Sequence, residues 1–181
     1  MFRITMPAQD QTPAASLPLL AAVKKQLGVV PNLMKVVGNS PAALEGYLSL
    51  SGALGKGTIG AKTGECIALA VAELNKCDYC LAAHSYLGSN LAKLDDTEID
   101  ANRRGKSGDA KAAAAVHFAT RVVKERGHVT DADVAAVKAA GFNNAEVIEI
   151  VLHVALNTLT NYVNEVAKTE IDFPVAEKLA A

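Results

Sequence analysis

Apolar residues recur along the chain at the three- and four-residue spacing of helices that bury one face. In the segment IGAKTGECIALAVAELN, residues 59–75, the positions Ile67, Ala70, Val71 and Leu74 follow this spacing, which predicts a helix. No segment alternates apolar and polar residues over several positions, and no Asn-Gly or Asp-Gly pair indicates a hairpin. The pattern therefore predicts an all-α fold of antiparallel helices joined by short loops.

Capping residues divide this pattern into successive helices. Ser40 followed by Pro41 predicts a helix start, Thr130 predicts another, and Gly28 predicts a helix end. The length of 181 residues suits a single domain. We expect N-terminal helices at about 16–55, a cysteine-containing core at about 58–91, C-terminal helices at about 108–168 and a tail broken by Pro174.

Composition and charge narrow the functional classes. Half of the residues are hydrophobic but only 4% are aromatic, which favours closely packed Ala-, Leu- and Val-rich helices. The net charge is −1 and the 18 basic residues are scattered, so a nucleic-acid partner is not expected. The sequence has neither a signal peptide nor an apolar stretch long enough for a membrane span, and we expect a cytoplasmic protein.

The segment ELNKCDYCLAAHSYLG, residues 73–88, concentrates the candidate chemistry. We expect a helix from about Cys77 to Leu91, on which Cys77, Cys80 and His84 share one narrow face. Cys80 and His84 are i, i+4 neighbours, so the imidazole can accept the thiol proton. Cys77 is expected in the first turn, where helix N–H groups favour an anion. After oxidation of one cysteine, the second can close a disulfide.

Three other interpretations of this cysteine pair are less favoured. A zinc site needs about four ligands, and three side chains on one helical face do not easily surround a metal. A structural disulfide is uncommon in a reducing compartment. A thioredoxin-type motif requires a βαβ pattern, which this sequence lacks. Redox chemistry on a helical scaffold remains.

The spacing Glu65-x11-Cys77-x2-Cys80-x3-His84 resembles the signature of AhpD-like alkylhydroperoxidases in the carboxymuconolactone decarboxylase superfamily. The wider layout, from LGVVPNLMKVVGNSPAALEGYLSLSGAL to NTLTNYVN and IDFP, is similar to the peroxidase-related subgroup. The resemblance implies an AhpD-like helical bundle that assembles as a homotrimer or homohexamer. It also implies a hydroperoxide substrate, no metal or cofactor, and a lipoyl-type dithiol or a peroxiredoxin as redox partner.

The same resemblance assigns roles to individual residues. It implies that Cys80 attacks the peroxide and Cys77 resolves the product, while His84 is the relay base and Glu65 the relay carboxylate, acting through a water. In the best-known members a second histidine lies between the cysteines; here Tyr79 replaces it, which predicts a shorter relay.

Two glutamates in the sequence, Glu65 and Glu73, are candidates for the relay carboxylate. Without the family spacing, Glu65 would be interpreted as part of a solvated helix face. Glu73 lies four residues before Cys77, but the expected break at Asn75–Lys76 leaves its direction undefined. We therefore favour Glu65.

Other polar or reactive residues have structural interpretations. Cys66 is expected to be a small buried apolar residue, and Arg103 and Arg104 favourable charges at a helix end. His128 is expected to be exposed, and a core or interface position is expected for His117 and His153. The cluster on the last helix could border the active pocket or cap a subunit contact, and a core or interface position is favoured for its members Asn157, Asn161, Tyr162 and Asn164.

Three functions remain open at this stage. The favoured one is a thiol-dependent alkylhydroperoxide reductase. The second is a carboxymuconolactone-decarboxylase-like lyase acting on a small lactone, a branch that lacks the cysteine pair. The third is a non-enzymatic redox-responsive protein.

Overall fold

The computed structural model describes residues 3–179, and within that range it contains nine α-helices, one 3₁₀ turn at Ala14–Ser16 and no strand. The predicted all-α fold is confirmed. The helices are α1 (Leu17–Leu27), α2 (Asn32–Val37), α3 (Pro41–Leu54), α4 (Gly60–Leu74), α5 (Asp78–Asn90), α6 (Asp96–Arg103), α7 (Ala110–Lys124), α8 (Asp131–Ala139) and α9 (Asn144–Ala167).

The predicted capping residues end or begin helices as expected. The Ser40 hydroxyl accepts a hydrogen bond from the backbone N–H of Ala43 at the start of α3. Thr130 begins α8 in a reciprocal capping box with Asp133. Gly28 ends α1 with φ of 80°, a left-handed conformation that a side chain would disfavour.

Helix α4 is the central element and packs against α5, α6, α7 and α9. Residues 66–72 of α4 are all buried, so this helix is apolar around its circumference over two turns. One side packs with Ala115, Phe118 and Ile150, and the other with Leu94 and Val116. This burial fixes the position of Glu65, which lies one residue before the buried stretch.

The N-terminal helices cover the start of α5. Buried residues of α2 and α3, including Leu33, Met34 and Leu44, form one apolar cluster with Cys77 and Cys80. The cysteine pair is therefore enclosed by parts of the chain that are distant in sequence.

The C-terminal segment, residues 169–179, has no helix but is anchored on α5 and α6. Asp172 Oδ1 accepts a hydrogen bond of 2.8 Å from the Tyr79 hydroxyl. The ring of Phe173 meets that of Tyr79 edge to face at a centroid distance of 5.9 Å. Arg103 donates a hydrogen bond of 2.8 Å to the backbone carbonyl of Glu177. These contacts hold the segment against the helices that carry the cysteines.

Among residues 3–179, no single helix is long and apolar enough to cross a membrane; α8 and α9 satisfy that test only as a pair bent by 114°.

Candidate active site

The two cysteines occupy different positions at the start of α5. The helix begins at Asp78, and Cys77 is its N-cap with extended φ and ψ of −96° and 96°. The prediction that Cys77 lies in the first helical turn is wrong, because the extended backbone of Cys77 leaves it one residue before the helix. The preceding residue, Lys76, is left-handed (φ 55°) and turns the chain between α4 and α5. Cys80 is the third helical residue, and its backbone N–H donates to Cys77 Sγ at 3.4 Å.

The Cys80 thiol is buried but surrounded by polar partners. Its side chain is enclosed, and Asn164 Nδ2 donates a hydrogen bond of 3.2 Å to Sγ. A hydrogen bond from the Cys77 thiol is the largest influence and, with the His84 charge and the two amides of Asn164 and Asn161, lowers the pKa of Cys80 to about 6 despite burial. Cys80 is therefore a thiolate at neutral pH.

Cys77 behaves in the opposite way. Its side chain is fully buried. The hydrogen bond to Cys80, burial and the negative charge of Cys80 together raise the pKa of the Cys77 thiol. The two cysteines thus share one proton, which stays on Cys77. The expectation that the helix start favours an anion at Cys77 is wrong, and the anion is at Cys80.

His84 and Glu65 form a close pair next to the thiolate. Nδ1 of His84 lies 2.8 Å from Glu65 Oε2, and the two side chains are only 20% and 23% exposed. Burial alone would lower the pKa of His84, but the Glu65 carboxylate, the Cys80 thiolate and a hydrogen bond to Asn157 raise it. The Glu65–His84 contact is direct and needs no water between them.

Glu73, the other candidate for the relay carboxylate, pairs with an arginine instead of His84. Glu73 Oε2 accepts a hydrogen bond of 2.7 Å from Arg103 Nε. Arg103 is the last residue of α6, as expected for a helix-end charge, and because only 7% of its surface is exposed it is also an internal ion-pair partner. Of the two candidate carboxylates, the structure brings only Glu65 to His84.

Tyr79, which lies between the cysteines, is committed to structural hydrogen bonds. Its hydroxyl accepts from the backbone N–H of Leu33 at 3.1 Å and donates to Asp172 at 2.8 Å. Burial, partly opposed by the Leu33 hydrogen bond, raises the pKa of the Tyr79 phenol. The ring therefore ties α5 to α2 and to the C-terminal segment.

Three asparagines of α9 form a polar wall that the sequence analysis assigned to the core or an interface. Asn157, Asn161 and Asn164 are nearly or fully buried and follow the i, i+4, i+7 spacing of one helix face. Asn164 reaches Cys80, Asn157 reaches His84, and Asn161 accepts a 2.8 Å hydrogen bond from Asn75. The sequence signal for these site residues was the presence of three amide side chains on one face of an otherwise apolar helix.

Tyr47 of α3 is a site neighbour that sequence reasoning missed entirely. Its ring packs on the apolar cluster that contains Cys80. Burial raises the pKa of the Tyr47 phenol, opposed by a hydrogen bond with Ser51, and the charges of Cys80 and Glu65 add to the increase. Its hydroxyl is therefore a neutral group close to the thiolate.

The remaining candidates lie away from the thiolate. Cys66 is fully buried, as expected, and burial raises its pKa to about 12. His128 is exposed as expected. His117 is also exposed, so of the two positions expected for it, core or interface, the core is wrong and the interface stays a prediction. His153 is half-buried against Gly64, and burial lowers its pKa. Within residues 3–179, no three His, Cys, Asp or Glu side chains are grouped so that they could hold a metal ion.

Comparison with known proteins agrees with this fold. Residues 41–125 match the carboxymuconolactone decarboxylase family. A peroxidase-related protein with an alkylhydroperoxidase AhpD core from Ralstonia eutropha JMP134 has a TM-score of 0.84 and 22% identity, covering 94% of this chain and 92% of that one. Residues 41–125 are therefore similar to that family, and the chain as a whole has the AhpD-like fold.

Other solved structures share this fold. A peroxidase-related protein from Silicibacter sp. TM1040 has a TM-score of 0.80 and 22% identity, covering 93% of this chain and 89% of that one. The debrominase Bmp8 has a TM-score of 0.77 and 17% identity, covering 94% of this chain and 92% of that one. Among curated proteins, no sequence matches this chain.

Proposed function

We propose that the protein is a thiol-dependent hydroperoxide reductase. The observation that carries this proposal is the asymmetry of the cysteine pair, in which Cys80 has a pKa of about 6 while the adjacent Cys77 thiol keeps its proton. A reactive thiolate and a protonated partner within hydrogen-bonding distance are the two groups that a two-cysteine peroxidase consumes in sequence.

The first step is attack of the Cys80 thiolate on the terminal oxygen of a hydroperoxide. The S–O bond forms, the O–O bond breaks, and the electron pair leaves with the alkoxide. The Glu65 carboxylate and the Cys80 thiolate raise the pKa of His84 and so favour its protonated form, which gives its proton to the alkoxide as it departs as the alcohol. Glu65 holds the imidazolium in place through Nδ1. The products are an alcohol and Cys80 sulfenic acid.

The second step joins the two sulfur atoms. Cys77 attacks the Cys80 sulfenic acid, the S–O bond breaks, and the thiol proton and the hydroxide leave together as water through the neutral His84. The product is a Cys77–Cys80 disulfide. A lipoyl-type dithiol or a peroxiredoxin partner then reduces the disulfide in the cytoplasm.

The protein is further proposed to act as a homotrimer or homohexamer. An exposed apolar stripe runs along α9 at helical spacing and consists of Ile148, Val151, Leu152, Leu159, Tyr162 and Val166. Such a face is typical of a subunit interface. Light scattering should give the wild-type protein a mass of three or six times 18.8 kDa. The Tyr162→Glu variant should have the mass of a monomer. A monomeric wild type would reject the proposal.

Stopped-flow mixing of the reduced protein with cumene hydroperoxide tests the activity. We expect the loss of two thiols per chain, because one peroxide converts the pair to a disulfide. Unreactive thiols, or a rate no faster than that of free glutathione, would reject the peroxidase. Turnover of a small lactone by a double Cys77→Ser, Cys80→Ser variant would favour the lyase instead, and a slow disulfide without turnover would favour a redox-responsive protein.

A second candidate comes from the structural likeness to the debrominase Bmp8, which was crystallised as a C82A variant with 2,3,4-tribromopyrrole. The Cys80 thiolate can attack a carbon-bound bromine, so that an S–Br bond forms and the C–Br bond breaks, and the carbon that keeps the electron pair takes a proton from His84. Cys77 then attacks the Cys80 sulfur, the S–Br bond breaks, and bromide leaves as the disulfide forms and the Cys77 thiol proton passes to His84. Bromide release from tribromopyrrole by the reduced protein, measured with an ion-selective electrode, distinguishes this reaction from peroxide reduction.

A further inference from the structure

The side chain of Asn161 carries a buried hydrogen-bond donor beside the thiolate. Asn161 lies one turn before Asn164 on the same face of α9, and Asn164 Nδ2 donates to Cys80 Sγ at 3.2 Å. None of the surface of Asn161 is exposed, and its Nδ2 is a buried atom without a hydrogen-bond partner. A buried donor of this kind is costly and uncommon, so its position next to the nucleophile indicates a partner that arrives during the reaction.

The orientation of this amide is fixed at its other end. Asn161 Oδ1 accepts a hydrogen bond of 2.8 Å from Nδ2 of Asn75, the C-cap of α4. Asn161 also helps to lower the pKa of Cys80. Only the N–H end of a neutral amide stabilises a thiolate, so Nδ2 is the end that is directed toward the sulfur atom.

The thiolate itself has other hydrogen-bond partners. Cys80 Sγ accepts hydrogen bonds from Asn164 Nδ2 and from the Cys77 thiol. Sulfur is a weak acceptor, whereas an oxygen atom bonded to that sulfur is a good one. The Asn161 donor is therefore available to an oxygen atom that becomes attached to Cys80.

We propose that Asn161 is a catalytic residue whose Nδ2 donates a hydrogen bond to the oxygen atom that Cys80 takes from the hydroperoxide. The inference rests on the proposed redox function and adds a donor for the second oxygen of the substrate. His84 protonates the leaving oxygen, and Asn161 binds the oxygen that stays on the sulfur.

The bond changes define when this donor acts. The Cys80 thiolate forms the S–O bond, the O–O bond breaks, and its electron pair leaves on the alkoxide, which takes the proton of His84. The terminal oxygen keeps its hydrogen and becomes the hydroxyl of Cys80 sulfenic acid. Burying that oxygen without a hydrogen bond would be unfavourable. A donor that is already oriented stabilises the oxygen as the S–O bond forms and therefore lowers the barrier.

Two reagents separate this role from a general effect on the thiolate. Cumene hydroperoxide places an oxygen on Cys80, whereas iodoacetamide places a carbon that accepts no hydrogen bond. Both are compared at about pH 8.5, well above the Cys80 pKa of about 6. Asn161→Ala should slow peroxide consumption about tenfold and alkylation by no more than about twofold. Equal slowing of the two reactions, or no slowing of either, would overturn the proposal.

Asn75→Ala tests the orientation of the amide without changing Asn161. The freed amide can rotate, so peroxide consumption should slow about threefold while alkylation changes little. A purely structural role for Asn161 predicts a lower melting temperature with an unchanged ratio of the two rates, and that result in both variants would overturn the proposal.

Thr120→Val is the matched control. It removes another buried side-chain atom without a partner, Thr120 Oγ1, which lies on α7 beside Gly105. The ratio of the peroxide rate to the alkylation rate should stay at the wild-type value. A fall in this ratio as large as that in Asn161→Ala would overturn the proposal, because the effect would then not depend on proximity to Cys80.

Hydrogen peroxide separates failure of this inference from failure of the peroxidase function. It oxidises thiolates whether or not the protein is a specialised peroxidase, and dimedone traps the sulfenic acid in a Cys77→Ala background. Adding Asn161→Ala should slow this trapping about tenfold relative to alkylation. An unchanged ratio would overturn the inference even if the wild type consumes cumene hydroperoxide rapidly. A lower ratio in a protein no faster than glutathione would retain the Asn161 donor and reject only the peroxidase function.

Discussion

Two buried cysteines of this protein lie in opposite chemical environments. Cys66 on α4 is enclosed by Leu69, Leu94 and Val116, and burial raises its pKa to about 12. Cys80 on α5 is almost as deeply buried, but its pKa is lowered to about 6. Burial is therefore common to both thiols and does not determine which one is reactive.

The difference lies in what replaces the lost water. Around Cys66 the neighbours are mainly apolar, and burial together with the charge of Glu98 outweighs the attraction of Lys62 for the charged form. Around Cys80, hydrogen bonds from Cys77 and Asn164 and the charge of His84 stabilise the thiolate. A site enclosed by hydrocarbon and a site enclosed by fixed donors can thus have equal exposure and opposite reactivity.

The largest expected effect is on the nucleophile itself. Cys80→Ser should reduce peroxide consumption by at least about 1000-fold, because a hydroxyl is far less nucleophilic than a thiolate. Cys66→Ala should remain within about twofold of wild type, since that thiol stays protonated. Stopped-flow kinetics with cumene hydroperoxide measure both rates. An equal loss of peroxide consumption in the two variants would show that the reactivities of Cys80 and Cys66 do not differ as proposed.

Reactivity toward alkylation should separate the two cysteines by pH. Iodoacetamide labelling of Cys80 in the native protein should be half-maximal near pH 6 and fall as the pH drops through that value, because the thiolate becomes protonated. Cys66 should stay unlabelled between pH 5 and 9, a range well below its pKa of about 12. Tryptic peptides of residues 63–76 and 77–93 report the two sites separately. Labelling of Cys66 in the folded protein would contradict the prediction.

The His84–Glu65 pair should have an intermediate effect on Cys80. His84→Gln removes the positive charge and should slow alkylation at pH 6.5 about five- to tenfold, and Glu65→Gln should slow it about two- to threefold. Both variants should raise the pKa of Cys80, as measured by the thiolate absorbance at 240 nm.

Glu73→Gln is the matched control for the carboxylate. It disrupts the ion pair with Arg103 and should lower stability, but it should leave the pKa of Cys80 unchanged. If only Glu73→Gln raised that pKa, the assignment of Glu65 would be wrong.

The smallest expected effect concerns the amide wall of α9. Asn164→Ala removes one hydrogen bond to the Cys80 thiolate and should slow its alkylation at pH 6.5 about two- to threefold. Asn144→Ala, at the exposed start of the same helix, provides the control and should change nothing. If Asn164→Ala slowed alkylation as much as His84→Gln, the hydrogen bond from Asn164 rather than the imidazolium charge would be the second-largest stabilisation of the thiolate, after the hydrogen bond from Cys77.

Local sequence rules predicted the helices and one pair of site residues. Ser40, Thr130 and Gly28 cap helices because their chemistry acts on neighbouring backbone groups. Cys80 and His84 lie on the same helix four residues apart, so their proximity follows from helical geometry. These contacts need no knowledge of tertiary structure.

The remaining site depends on contacts that local rules cannot specify. Cys77 is the N-cap of α5 with an extended backbone, and cysteine is not among the residue types that favour that position. Glu65 was favoured only through the family resemblance, since its contact with His84 joins two helices. Asn164 and Tyr47 come from helices far away in sequence, so their approach to Cys80 follows from packing.

The anchoring of the C-terminal segment sets a strict limit on chain length after α9. Phe173 reaches Tyr79 and Tyr86 on the same helix, and Asp172 bonds both the Tyr79 hydroxyl and the backbone N–H of Asn32. One residue inserted or deleted between Ala167 and Asp172 would displace both side chains by about 3 Å. An engineer can therefore extend the protein beyond Glu177 more safely than alter the four-residue connection, residues 168–171, that precedes these anchors.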